Sequence, residues 1–276
     1  MEIDPDSRDL FAGRPWRKVP GTAFGRAVDV PGMLTEREQR LYLWLARDWA
    51  QGAGAIVDLG CFLGGSTAFL AEGRAQAGRP QPIHAFDRFR ISDDLAARYL
   101  KGPGLADTSA FVARSLSPWA PEVILHAGDL LEAEWREGPI EVLVVDAAKT
   151  VEVADHIARQ FYTALIPGRS VVVQQDALHW RQPWVSAQMA WMGAAFVPVG
   201  RAGRDLVAYL CVGPVEAPVL EQGRVTGRTD AELMAGLVQA ETDLAAIVPP
   251  GRIAAQMEAL SANPGRRKAK AFRRAV

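Results

Sequence analysis

Short, nearly continuous apolar runs recur along the middle of the chain, and they constrain the fold more than any other feature of the sequence. Such runs are typical of strands buried on both faces of a parallel sheet. Segments with helical spacing of apolar residues separate them. The resulting βαβα order predicts an α/β fold with one doubly wound, mostly parallel, seven-stranded sheet. The predicted strands lie at residues 55–58, 82–87, 122–126, 140–146, 170–173, 195–199 and 206–212.

The segments on either side of this pattern have a different character. The first residues carry Pro, Gly and mixed charge without clear periodicity, which predicts an irregular lead-in or lid. Thr35 and Glu38 then have the spacing of a capping box, so a helix is expected from there to about Trp49. The last part of the chain predicts a helical extension. We therefore expect a lead-in at 1–33, a central domain at 34–213 and a C-terminal helical extension at 214–276.

Composition excludes several classes of function. The 276 residues are 49% hydrophobic and 23% charged, with a formal net charge of -1, which does not favour a general nucleic-acid binder. Cys61 and Cys211 lie in apolar surroundings and are interpreted as reduced thiols. No apolar run reaches the roughly 18 residues of a membrane span, and the N-terminus lacks a signal-peptide core. We expect a cytoplasmic protein without a membrane span; self-association stays open.

The chain ends in a run of basic residues. A charge run of this kind usually marks a solvated, frayed end, and that is the interpretation we favour. The alternative is a patch for an anionic partner. The residues concerned are Arg266, Arg267, Lys268, Lys270, Arg273 and Arg274.

A glycine-rich loop, DLGCFLGGST at residues 58–67, follows the first predicted strand. Its glycines lack the G-x-G-x-x-G spacing that holds a dinucleotide pyrophosphate at a helix N-terminus. It also lacks the lysine of a P-loop. The loop therefore disfavours NAD and ATP. An acid, Asp87, ends the next predicted strand, where a carboxylate can accept hydrogen bonds from ribose hydroxyls.

In this order the motifs resemble those of class I S-adenosylmethionine (SAM) methyltransferases. The loop from Asp58 to Ser66 is similar to their first motif, Asp87 matches the second, and Asp129, after Gly128, matches the third, which meets the adenine amine. The resemblance covers residues 30–212 and implies a Rossmann-like methyltransferase fold that binds SAM. Each motif taken alone could also be a turn glycine, a helix cap or a surface acid. The implied cofactor contacts are Asp58, Gly60, Gly64, Gly65, Ser66, Thr67, Asp87 and Asp129.

Polar residues at the ends of the fourth and fifth predicted strands form a second candidate cluster. The carboxyl ends of parallel strands lie on one side of a sheet, so Asp146 and Asp176 are expected to converge. Carboxylate and amide oxygens suit Mg²⁺, which makes Asp146, Gln175 and Asp176 candidate metal ligands. A cation nearby would lower the pKa of Lys149 from about 10.4 and make it a plausible general base. Lys149 and Asp146 are thus the candidate catalytic residues.

These residues resemble two groups of O-methyltransferases. Asp146 and Lys149 match the D-x-x-K of the metal-dependent catechol and caffeoyl-CoA type, whereas Gln175-Asp176 departs from the D-N pair of that type by one amide. The chain also resembles the macrocin-O-methyltransferase-like group, which methylates sugars on natural products. That group usually has D-x-D-H at 146–149, so the base does not transfer from it. The implied function is SAM-dependent methyl transfer to a hydroxyl of a small molecule, a sugar or catechol-like diol, with assistance by Mg²⁺ left open.

Simpler roles stay open. Asp146 could cap a helix, Lys149 could be a solvated lysine, and Asp176 a turn acid. His179, Trp180 and Trp184 could line an acceptor pocket, although such tryptophans are more often core. Alternative functions are metal-independent methyl transfer and a catalytically silent SAM-fold protein that acts as a binding partner. Oxidative chemistry is disfavoured because the sequence shows no 2-His-1-carboxylate triad.

Overall fold

One seven-stranded sheet forms the framework of the protein, seen in a computed structural model that describes residues 5–100 and 107–274. The strands follow the order β3-β2-β1-β4-β5-β7-β6. β2 pairs in parallel with β1 and β3, whereas β7 is antiparallel to both β5 and β6. The predicted doubly wound, mostly parallel sheet is therefore confirmed. The strands are β1 (Ala55–Leu59), β2 (Ile83–Asp87), β3 (Val123–Ala127), β4 (Ile140–Val145), β5 (Val171–Gln174), β6 (Phe196–Ala202) and β7 (Leu206–Cys211).

Ten α-helices accompany the strands within the described residues. The predicted capping box is present, since the Thr35 amide donates to Glu38 Oε2 at 2.7 Å, and the helix continues as a π-helical turn to Trp49. No helix of the described residues is long and apolar enough to cross a membrane. The helices are α1 (Pro5–Ala12), α2 (Glu36–Trp44), α3 (Gly65–Ala77), α4 (Asp93–Tyr99), α5 (Ser109–Ser115), α6 (Val151–Phe161), α7 (Pro183–Trp191), α8 (Ala217–Gln222), α9 (Asp230–Leu244) and α10 (Arg252–Ser261).

The chain divides into two compact units. The N-terminal unit is Arg14–Val144, and the C-terminal unit is Met1–Gly13 together with Val145–Val276. The domain boundaries after residues 33 and 213 stay predictions. Residues 1–4 of the predicted lead-in lie outside the described residues, as do 101–106, which follow the helix expected near residue 93.

In the N-terminal unit, the lead-in packs against α3. Phe24 is buried and meets Phe69 edge-on, with ring centroids 5.2 Å apart. At the start of α3, Gly65 lies so close to the lead-in that an added Cβ would be 2.6 Å from Gly32 Cα and 2.8 Å from the Pro31 oxygen. The close approach of these two backbones therefore requires a residue without a side chain at position 65.

In the C-terminal unit, the basic tail is not a frayed end, so that expectation is wrong for residues 266–274. The Val151 amide donates to the Arg267 oxygen at 3.2 Å, and the Ala269 amide donates to the Lys149 oxygen at 2.9 Å. Phe272 is fully buried against Trp184, with ring centroids 6.0 Å apart. The sequence did not indicate this packing, because Phe272 is the one aromatic residue among the basic residues and it alone is buried as a large apolar side chain.

The edge strand β6 is irregular. It lies at one end of the strand order and pairs only with β7 among the strands described. Its register with β7 shifts between Pro198 and Gly200, as in a β-bulge. The strand is therefore interrupted about halfway along its length.

Candidate functional site

The glycine-rich loop after β1 is held by a buried acid. Asp58 is fully buried, and its Oδ2 accepts hydrogen bonds from Ser66 Oγ and Thr67 Oγ1, both at 2.7 Å. Gly60 and Gly64 have φ angles of 94° and 91°, the left-handed region that glycine adopts without strain. Asp58, Ser66 and Thr67 thus fix the shape of the loop at the start of α3. Their contact with a cofactor stays a prediction.

Asp87 joins the end of β2 to the same loop. Its Oδ2 accepts from the Phe62 amide and its Oδ1 from the Phe89 amide, each at 2.9 Å. Burial raises the pKa of Asp87, and the backbone hydrogen bonds oppose that effect. A carboxylate can accept about four hydrogen bonds, so Asp87 keeps acceptor capacity for a ligand. The geometry suits the predicted contact with ribose hydroxyls.

The side chain of Asp129, which follows β3, already accepts two hydrogen bonds within the protein. Arg88 donates to its Oδ2 at 2.5 Å, and the Leu131 amide donates to its Oδ1 at 3.1 Å. The backbone amide of Gly128 donates to the backbone carbonyl oxygen of Asp87 at 3.0 Å, which brings the third motif next to the second. The N-terminal unit therefore collects all three motifs at the ends of β1, β2 and β3. A contact of Asp129 with adenine stays a prediction.

The C-terminal unit contains the second cluster. Lys149 Nζ donates to Asp146 Oδ1 at 2.5 Å and also to Asp176 Oδ2. Gln182, which the sequence did not single out, donates to the same Asp176 oxygen at 2.6 Å. The backbone amide of Gln175 donates to the backbone carbonyl oxygen of Val145 at 3.0 Å and so joins the ends of β5 and β4. The structure thus brings Asp146, Lys149 and Asp176 into contact at the predicted place.

The charges within this cluster hold Lys149 protonated. Burial lowers the pKa of Lys149, but the charges and hydrogen bonds of Asp146 and Asp176 outweigh burial and raise it. For Asp176, burial raises the pKa, and the ammonium of Lys149 more than offsets this, so the pKa is lowered. The two carboxylates favour the charged form of Lys149, whereas the lowered pKa expected from the sequence depended on a nearby cation.

The residues of this cluster do not fit Mg²⁺ in the present arrangement. Mg²⁺ takes six oxygen ligands in near-octahedral geometry. Here the ammonium of Lys149 lies against the carboxylates of both Asp146 and Asp176 and offsets one of their two negative charges. Across residues 5–100 and 107–274, no group of three or more His, Cys, Asp or Glu side chains could hold a metal ion. The carboxylates of Asp146 and Asp176 instead bind the ammonium group of Lys149.

The aromatic candidates separate into core and surface. Trp184 is fully buried, and its Nε1 donates to the Ala148 oxygen at 2.9 Å, so it is a core residue. Trp180 is partly exposed and lies beside the His179 ring and the Arg181 guanidinium, which is 4.8 Å from its centroid. His179 accepts a hydrogen bond at Nδ1 from the Arg181 amide at 3.2 Å. Burial lowers the pKa of His179, against the opposing charge of Asp176.

Comparison with known proteins finds similarity in structure alone. No model of a protein family matches the chain, and no curated protein matches it. The O-methyltransferase NovP has a TM-score of 0.54 and 17% sequence identity, with 66% of this chain and 82% of NovP covered. SAH-bound PaMTH1 from Podospora anserina has a TM-score of 0.48 and 12% identity, over 77% of this chain and 98% of that one. Cofactor-bound Rv0187 from MTB has a TM-score of 0.48 and 15% identity, over 75% of this chain and 98% of that one. From its sheet order and its likeness to NovP, the chain has a Rossmann-like methyltransferase fold.

Proposed function

We propose that this protein transfers a methyl group from SAM to a hydroxyl of a small molecule, a sugar or a catechol-like diol. The observation that carries the proposal is Asp87, which ends β2, binds the backbone of the glycine loop and keeps acceptor capacity for a ribose. A fold shared with the O-methyltransferase NovP supports it. Fold alone does not define a reaction, so the proposal depends on Asp87 and the other site residues described above.

Residues of the N-terminal unit would hold the cofactor. Gly60 and Gly64, with their left-handed backbones, allow close approach of the methionine part. Asp87 would accept hydrogen bonds from the ribose, and Asp129 or its neighbouring backbone would meet the adenine amine. When bound, SAM supplies a methyl group that its sulfonium has already activated.

Residues of the C-terminal unit would act on the acceptor. Methyl transfer requires that the acceptor oxygen be oriented and that its proton be removed. The charged Lys149 can donate a hydrogen bond to that oxygen, while Asp146, partly exposed, can accept its proton. Lys149 would serve as the general base only after passing its own proton to a carboxylate. This is the metal-independent form of the reaction.

The test begins with SAM and its product, S-adenosylhomocysteine, titrated into the full chain by calorimetry. We expect dissociation constants between about 1 µM and 100 µM, within the usual range of KM values. NAD and ATP are the controls and should not bind. Absence of heat with both SAM and S-adenosylhomocysteine at high micromolar concentration would overturn the proposal.

The need for a metal is tested by turnover. With sugar and catechol acceptors, S-adenosylhomocysteine release should be unchanged by EDTA and should fall in Lys149→Ala. Loss of activity in EDTA, restored by Mg²⁺, would favour the metal-assisted reaction instead. A protein that binds SAM but turns over none of these acceptors would favour the silent binding partner.

A further inference from the structure

The described end of the chain lies along the segment that carries Lys149. We define residues 266–273 as the C-terminal strap. Two backbone hydrogen bonds join the strap to this segment: Val151 N to Arg267 O at 3.2 Å, and Ala269 N to Lys149 O at 2.9 Å. Between them, Thr150 and Lys268 form an isolated antiparallel bridge. The strap thus binds the backbone of Lys149 itself.

A buried aromatic pair holds the segment from a second direction. Trp184 donates from Nε1 to the oxygen of Ala148, the residue before Lys149, at 2.9 Å. Phe272 of the strap packs against the Trp184 ring at an angle of 68°, and both side chains are fully buried. Phe272 therefore links the strap to the residue that fixes the neighbouring carbonyl.

The strap is itself anchored at both ends. Asn263, which is buried, donates to the Arg273 oxygen at 2.9 Å and accepts from the Arg273 amide at 2.8 Å. Arg267 pairs with Asp230 at 2.7 Å and donates to the Arg228 oxygen at 2.9 Å. Arg267 thus attaches the strap to residues 228–230 of the same unit. Lys270, in contrast, is exposed.

We propose that the C-terminal strap is a positioning element for the Lys149 cluster, with Phe272 as its main positioning residue. A lysine has a long flexible stem, so its ammonium stays against two carboxylates only if its backbone is fixed. The strap and Trp184 hold four consecutive positions, 148–151. Hydrogen bonds hold Ala148, Lys149 and Val151, and the bridge to Lys268 holds Thr150. The use of this cluster on an acceptor rests on the proposed function; the contacts do not.

Two variants test the strap without altering the cluster. Phe272→Ala removes the buried ring. Ala269→Pro removes only the amide that donates to Lys149, because Ala269 begins the short 3₁₀ turn Ala269–Ala271, where proline is tolerated. The extended backbone of Lys268, with φ -133° and ψ 126°, also suits a following proline. The matched control is Lys270→Ala, which removes a charge from the strap, and Phe272→Leu is the conservative rescue.

The readouts are amide hydrogen exchange of Val151 and the ¹⁵N ammonium signal of Lys149 in the full chain, assigned with Lys149→Arg. Hydrogen bonds to Asp146 and Asp176 should slow the exchange of the Lys149 ammonium hydrogens with water. We expect Phe272→Ala and Ala269→Pro to speed exchange at Val151 by about tenfold or more and to lose the Lys149 signal. Lys270→Ala should match the wild type, and Phe272→Leu should recover the signal.

The outcomes separate this inference from the proposed function. Unchanged Val151 exchange and an unchanged Lys149 signal in folded Ala269→Pro would overturn the positioning role. So would equal losses in Lys270→Ala, because charge and not packing would then be responsible. SAM titration of the same proteins tests the proposed function separately: a wild type that does not bind SAM refutes that function and leaves the strap result standing.

Discussion

Single acids of the candidate cofactor site have distinct tasks. Asp58 is fully buried and accepts from two hydroxyls of α3, so it shapes the loop. Asp87 accepts two backbone amides and is only partly buried, so it both shapes the loop and stays accessible. The sequence assigned both residues to cofactor contacts, since their positions at strand ends are equivalent. Their partners distinguish them.

Asp87→Ala is expected to weaken SAM binding by about 10- to 100-fold. A hydrogen bond to a charged group contributes about 1.5–3 kcal/mol, and each 1.4 kcal/mol is a factor of about ten in affinity. Calorimetric titration with SAM measures the change. Asp94→Ala, an exposed acid on α4, is the control and should bind as the wild type does. Equal affinity in the wild type and Asp87→Ala would contradict the ribose role.

The position of Lys149 could be predicted from sequence, but its charge state could not. Residue type and spacing placed Asp146 and Lys149 at the end of one strand. The pKa of Lys149 depends on Asp176, 27 positions away, and on the distance between them after folding. Gln182 was missed because an amide six positions after Asp176 has no distinctive sequence signal.

At the scale of elements, strands were easier to predict than the shorter helices. The predicted runs lie within a few residues of the seven observed strands, because buried strands need continuous apolar residues. Three helices, α1, α5 and α8, were missed, and α1 lies in the lead-in that was predicted to be irregular. α8 buries none of its residues, and α5 buries Val112 alone, so neither shows an apolar stripe. The strap was missed for a similar reason, since Phe272 is its one large buried side chain.

The packing of the lead-in on α3 gives a prediction at this scale. Gly65→Ala should lower the free energy of unfolding by about 1–3 kcal/mol, because a new methyl group would force two backbones apart. Urea denaturation measures the effect. Gly21→Ala is the matched control: nothing lies within 4 Å of its added Cβ, and it should be nearly neutral. Equal stability of the two variants would show that the backbone at Pro31 and Gly32 can move away from a new methyl group at little cost.

For the protein as a whole, a histidine pair connects stability to pH. His84 Nδ1 and His126 Nε2, on neighbouring strands, are 2.9 Å apart, and Trp135 meets the His84 ring edge-on. Burial lowers the pKa of both histidines, with the charge of His126 adding to the effect on His84; Glu137 opposes both shifts. Both rings are therefore neutral in the folded protein under conditions where the unfolded chain begins to take up protons.

The free energy of unfolding should fall as the pH drops below about 6.5. The unfolded histidines bind protons near pH 6.5, and the folded ones bind them only at lower pH, so stability is full above this value and is lost below it. Urea denaturation between about pH 7.5 and pH 5.5, above most carboxyl titration, measures the slope. The double variant His84→Gln with His126→Gln should show a shallower slope. An unchanged slope would assign the pH effect to other groups.

The irregular edge strand has a consequence for how the protein behaves in concentrated solution. An unpaired strand edge can recruit a strand from another molecule and begin aggregation. Pro198 has no amide hydrogen to donate, and the bulge between Pro198 and Gly200 breaks the regular spacing that a second strand would need. β6 therefore offers an intruding strand only short stretches of continuous edge. We expect this interruption to disfavour fibril-like assembly through that side of the sheet.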